Sequence, residues 1–190
     1  MKSSLYSIGY GNRTLDNFFD VLNQYNIRYI VDIRSKPQSK YMEAFNRPNL
    51  IYQCSQNGIK YEFMGKALGG RPDDPGVYEN GFIVYRKIAE RPYFIGGLER
   101  LITANTKGVK VAIMCSELNP EDCHRSKLIG RELYKQGIEI NHIGKAGNLL
   151  SQEHVMLKVT KGKGEEDLFG NSNLTSRKQY SEDGSKLEDD

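Results

Sequence analysis

The chain has no tryptophan, only three cysteines and six prolines among its 190 residues, and no apolar run that approaches a membrane span of roughly 18–20 residues. The odd cysteine count (Cys54, Cys115, Cys123) gives no disulfide framework and suits a reducing compartment. The opening residues, MKSSLYSIGYGNRT, hold no apolar stretch of signal-peptide length, so a cytoplasmic protein without a membrane partner is expected. Hydrophobic residues make up 38% and charged residues 27%, which excludes a long disordered chain and a membrane protein alike.

The net charge of +3 conceals an asymmetry. Residues 161–190 carry five Lys/Arg and eight Asp/Glu, so residues 1–160 hold 22 basic against 16 acidic groups. A body of net charge +6 suits an anionic small molecule, such as a phosphate-bearing ligand, or nucleic acid. The same balance also serves ordinary solubility.

Short β-branched runs at residues 5–8, 27–33, 59–64, 110–114 and 138–143 read as strands. Helical patterns lie between them. Thr14 is a candidate N-cap for a helix whose Leu15, Phe18, Phe19 and Leu22 share one face. Further helices are expected at residues 48–56, 82–90, 92–105 and 124–136, with a short element at 153–159. This alternation predicts an α/β fold, a mostly parallel sheet with helices on both faces in three α/β/α layers. One domain is expected over residues 1–159, followed by a disordered polar tail over 160–190.

In a parallel sheet, the loops starting at Gly9, Arg34, Gly65 and Cys115 emerge at one edge. That edge would gather Arg13, Arg34, Lys36, Lys66, Arg71 and Arg125 around a common crevice. The loop Gly9-Tyr10-Gly11-Asn12-Arg13 ahead of the capped helix could offer backbone N–H groups to an anion, which makes Gly9, Asn12 and Arg13 candidate ligand contacts.

Chemistry concentrates in residues 111–131, VAIMCSELNPEDCHRSKLIGR. Cys115 ends the apolar run, and Cys123, His124 and Arg125 open the next helical pattern. A cysteine becomes a nucleophile near neutral pH when a cation or a helix N-terminus stabilises its thiolate, and either thiol could meet that condition. Both could equally be small, buried and inert. Glu117 could hold a ligand hydroxyl or act as acid or base, or it could pair with an arginine. His124 is a candidate proton carrier.

Cys115, Cys123, His124 and His142 are ligand types suited to zinc, but they lack the paired knuckles of structural zinc sites, so no metal and no cofactor is assigned. A phosphatase-type loop needs Arg where Glu121 stands. Rhodanese-like sulfur transfer is a minor alternative, weakened by the absence of glycine from SELNPED.

The segments SIGYGNRTLDNF, VDIRSKPQSK, YEFMGKALGGRP, MCSELNPEDCHR and NHI together resemble the prokaryotic family known as domain of unknown function 488. The resemblance spans about Ser7 to Ile143. It implies an α/β fold and directs attention to Asp32, Arg34, Ser39, Gly69, Gly70, Cys115, Glu117, Cys123, His124, Arg125 and His142. The expected function is an enzyme whose basic crevice takes a phosphate-bearing nucleotide or nucleic-acid-derived group, with Cys115 and Glu117 as chemical groups. The alternative is a non-catalytic nucleotide or nucleic-acid binding module.

Overall fold

The computed structural model describes residues 3–163 and 174–180. Within them, a six-stranded sheet is formed by β1 (Leu5–Gly9), β2 (Tyr29–Asp32), β3 (Lys60–Phe63), β6 (Val111–Cys115), β7 (Asn141–Ile143) and β8 (Leu149–Leu150), in the order β3-β2-β6-β1-β7-β8. The first five strands run parallel, and β8 turns back antiparallel to β7.

Period-two alternation divides the central strand between two cores. Ala112 and Met114 face α1 (Leu15–Gln24) and α2 (Arg47–Gln56), packing with Phe18, Leu22, Leu50 and Cys54. Val111, Ile113 and Cys115 face the opposite layer. There they meet Leu68 of α3 (Gly65–Leu68), Phe94 and Leu98 of α5 (Pro92–Thr106), and Leu133 of α6 (Arg131–Lys135). Helices therefore cover both faces, as the pattern of the chain predicts. Cys54 lies on the far side of the sheet from Cys115 and Cys123, and burial pushes its thiol up to about 12.

Three stretches depart from expectation. Residues 82–90 are not one helix: β4 (Tyr78–Glu79) and β5 (Phe82–Ile83) form a hairpin, and only α4 (Tyr85–Ala89) is helical. Asn80 and Gly81 both have positive φ, 51° and 79°, which fits the strand twist at a tight hairpin. The helix expected from His124 begins as a π-helix, Arg125–Gly130, before α6 takes over. Of the expected tail, residues 164–173 and 181–190 lie outside the described residues. Residues 174–180, however, lie on the domain: Ser176 N–H donates to Ile83 O at 2.9 Å, Tyr180 N–H donates to Gly81 O at 2.8 Å, and Leu174 is buried. Packing also continues through α7 (Gln152–Thr160), capped by Ser151. No helix among the described residues is long and apolar enough to cross a membrane.

Registers bring the strand ends level. Gly9 aligns with Cys115, and Asp32 aligns with both Met114 and Phe63. From the adjacent ends of β2 and β6 the chain departs in opposite directions, outward to β3 and across β1 to β7. Open parallel sheets leave a ligand crevice at such a switch point.

Away from that edge, His142 ties β7 to β1 and α7. Its Nδ1 accepts from Ser7 Oγ at 2.6 Å, and its Nε2–H donates to Gln152 Oε1 at 2.6 Å. Gln152 in turn donates to Ser126 O. Burial holds this imidazole neutral and lowers its pKa to about 4, outweighing the Gln152 bond. The folded value lies below the ordinary 6.5, so the unfolded chain binds the extra proton. The stability from this histidine is complete above pH 6.5 and is lost as pH falls toward 4. Urea unfolding should show a loss of about 2 kcal/mol from this group between pH 7.5 and pH 5. His142→Gln should flatten that slope, and equal slopes in the two proteins would refute the assignment.

Candidate functional site

The crevice at the switch point has a volume of about 340 Å³. Cys115, Cys123, His124 and Tyr85 line it, together with Arg34, Ser35, Lys36, Gln38 and Ser39 from the loop after β2. Gly70 and Arg71 follow α3, Ser116, Glu117 and Asp122 come from the loop after β6, and Ser176, Arg177, Lys178 and Tyr180 come from the returning segment. Five cationic side chains face two carboxylates, so the crevice is basic.

Arg34 is the most constrained of those cations. It is 5% exposed and grips Asp32 in a fork, Nε to Oδ1 at 2.9 Å and Nη2 to Oδ2 at 2.6 Å. Nη2 also donates to Phe45 O, and Tyr61 donates its hydroxyl to Asp32. Burial opposes the guanidinium charge, but the Asp32 bonds and charge outweigh it and raise its pKa above the usual arginine value. Nη1 is buried and finds no partner among the described residues. The strand-end Asp-x-Arg thus holds a buried guanidinium at the crevice, 5.3 Å over the Tyr10 ring.

At the site's sulfur centre, His124 Nε2–H donates to Leu68 O at 3.1 Å. Because a carbonyl only accepts, this bond places a proton on Nε2 and turns Nδ1 toward the sulfurs. Nδ1 lies 3.6 Å from Cys123 Sγ and 4.0 Å from Cys115 Sγ. Gly70 permits the approach, since a Cβ there would stand 2.7 Å from the His124 ring. Neighbouring Cys123, with the His124 and Arg125 charges, holds the Cys115 thiol well below its ordinary range despite burial. Burial and the neighbouring Cys115 push Cys123 upward. Cys115, Cys123 and His124 together place three soft or borderline ligand atoms within 4.8 Å of one another. His142, the fourth such residue in the sequence, is held elsewhere by Ser7 and Gln152.

Other residues expected at the site have structural partners. Arg13 donates to Gly9 O, Asn17 and Gly144 O, and burial followed by the charge of Arg125 lowers its pKa. Arg125 donates to Glu117 O and Leu118 O. Neither arginine lines the crevice, and neither do Lys66, Gly9, Asn12, Asp32 or Gly69. At Gly9 a side chain would collide with Glu117 O, so this glycine serves the close approach of the two loops. Ser39 lines the crevice, and its Oγ accepts from the N–H groups of Tyr41 and Met42. Glu117 stands at the rim and pairs with Arg177 at 3.5 Å, not with Arg34 or Arg125. Tyr85, Arg177, Lys178 and Tyr180 are lining residues that no local sequence signal identifies, because long-range return of the chain brings them there.

The family model described as Domain of unknown function DUF488 matches residues 14–131. The chain belongs to this family. The matched span runs from the cap of α1 through the π-helix, so it includes Arg34, Gly70, Cys115, Cys123 and His124. No curated protein and no solved structure matches the chain.

The Asp32–Arg34 fork gives the first test of this site in a DUF488 protein. Asp32→Asn would leave a buried guanidinium without its counter-charge and should cost about 3–5 kcal/mol in urea unfolding. A loss below about 1 kcal/mol would show that Arg34 reaches water once released.

Proposed function

We infer that this protein is an enzyme whose crevice binds a phosphate-bearing small molecule of nucleotide size, with chemistry at Cys115. The observation that carries this reading is the unbonded Nη1 of Arg34. Nε and Nη2 of this buried cation are held by Asp32 and Phe45, whereas Nη1, on the side of Tyr10, makes no hydrogen bond among the described residues. Leaving such a donor unmet costs free energy, and an anionic oxygen would recover it.

Lys36, Arg71, Arg177 and Lys178 add positive charge around the same space. A volume of about 340 Å³ lies within the range of small-molecule sites. A crevice of that size favours a small ligand over a nucleic-acid track, which would need a longer basic groove. Cys115 closes the floor at the end of the central strand, where a bound ligand would come within reach. Glu117 at the rim supports a second role. Its pair with Arg177 is half-exposed and weak, so the carboxylate is free to meet a ligand hydroxyl.

Titration with inorganic phosphate and with a mononucleotide, followed by calorimetry, tests this reading. Arg71→Ala should weaken binding about tenfold while leaving the urea midpoint unchanged. Cys115→Ser should preserve binding, as expected of a chemical group rather than a binding one. Affinity should fall only shallowly with salt. Absence of phosphate binding, combined with oligonucleotide binding of steep salt dependence, would overturn the small-molecule reading in favour of a nucleic-acid module.

A further inference from the structure

We propose that Cys115, Cys123 and His124 form a zinc site of Cys2His type, with its fourth position open to the basic crevice. Four-coordinate zinc holds sulfur at about 2.3 Å and imidazole nitrogen at about 2.0–2.1 Å, which sets tetrahedral N···S separations at about 3.6 Å and S···S at about 3.8 Å. The observed N···S separations are 3.6 and 4.0 Å, and the three atoms lie within 4.8 Å of one another. Both N···S separations thus lie within about 0.4 Å of the tetrahedral value, and drawing the two sulfurs together completes the geometry.

Two further observations point to a ligand. Metal-binding histidines characteristically donate the other ring N–H to a carbonyl or carboxylate, and His124 Nε2–H donates to Leu68 O while Nδ1 faces both sulfurs. Cys123 Sγ in addition lies 3.5 Å from the Arg125 N–H, a bond that supports a thiolate. Two thiolates and an imidazole select zinc over magnesium or calcium. Zinc with two thiolates is also electrically neutral, so the ion adds no net repulsion beside Arg34 and Arg71. All three ligands line the crevice, so the fourth position would open into it, the arrangement of catalytic rather than structural zinc.

What the ion would act on rests on the reading of the crevice as an anion site, whereas its binding does not. The two are therefore measured apart. Cobalt(II) is titrated into the chelator-stripped full chain without phosphate, and zinc affinity is obtained by chelator competition. One ion per chain, with thiolate-to-cobalt charge transfer and the intense visible bands of a four-coordinate ion, is expected. Cys115→Ser, Cys123→Ser and His124→Ala should each lower zinc affinity about 100-fold or more, and Cys54→Ser should leave it unchanged.

Should the buried variants misfold, the wild-type protein decides. One equivalent of zinc should slow alkylation of Cys115, and a chelator should restore it. Weak octahedral cobalt bands, no thiolate charge transfer, or no protection by zinc would overturn the site. Phosphate titration in the presence of chelator, by contrast, tests the crevice alone.

Discussion

A buried guanidinium holds the working edge of this molecule together. Arg125 is fully buried, and its fork spans two carbonyls of the loop after β6, Glu117 O at 2.6 Å and Leu118 O at 2.8 Å. Taking that charge out of water is costly, and two charge-assisted bonds are what offset it. The gain is geometric. The loop folds back over Gly9, where no side chain would fit, and Cys123 and His124 return to the end of the strand that Cys115 closes. A lysine could not reproduce the planar fork across both carbonyls. The sulfur–imidazole centre thus depends on an arginine that never reaches the crevice itself.

The turn into the next helix follows from the same clasp. Ser126 Oγ shares its one proton between Pro120 O and Cys123 O, carbonyls that also accept from the Cys123 N–H and from the Ser126 and Lys127 N–H groups. The wide π-helical turn Arg125–Gly130 begins there and gives way to α6 at Arg131. Gly130 packs against the Gln152 side chain, which in turn carries His142. Floor and flank are therefore coupled through a buried polar chain that runs from Ser126 O through Gln152 to His142 and Ser7.

Much of this was legible in the residues. Apolar runs of strand length alternating with capped helical patterns are local signals, and they give the parallel sheet and its shared edge. The junction at Cys115–Arg125 was legible too, because so many reactive side chains sit in one short stretch. What failed were inferences about where long side chains go. Arg13 and Arg125 resemble ligand-binding cations in sequence, but the fold turns both toward the chain's own acceptors, Gly9 O, Gly144 O and Asn17 for Arg13 and two loop carbonyls for Arg125. The hairpin at Tyr78–Ile83 did carry a readable turn in Asn80-Gly81, but the apolar residues after it also fit a helix, and a pattern that short does not separate the two.

The return of residues 174–180 had no local signal at all, and its energetics explain why. Arg177 pairs with Glu117 at 3.5 Å and Asp122 at 3.7 Å, but these groups are half-exposed and such pairs contribute little. Main-chain pairing with the hairpin and α4 does more: Leu174 O accepts from Tyr85 N–H, and Ser176 bonds Ile83 through both its backbone N–H and its Oγ. Leu174 adds a buried apolar anchor. Backbone bonds are blind to side-chain identity, so a polar sequence conceals them. Because the segment does not rely on its ion pairs for attachment, Arg177 and Lys178 can lend their charge to the crevice wall. An acidic stretch of chain in this way supplies two of the five cations that make the crevice basic.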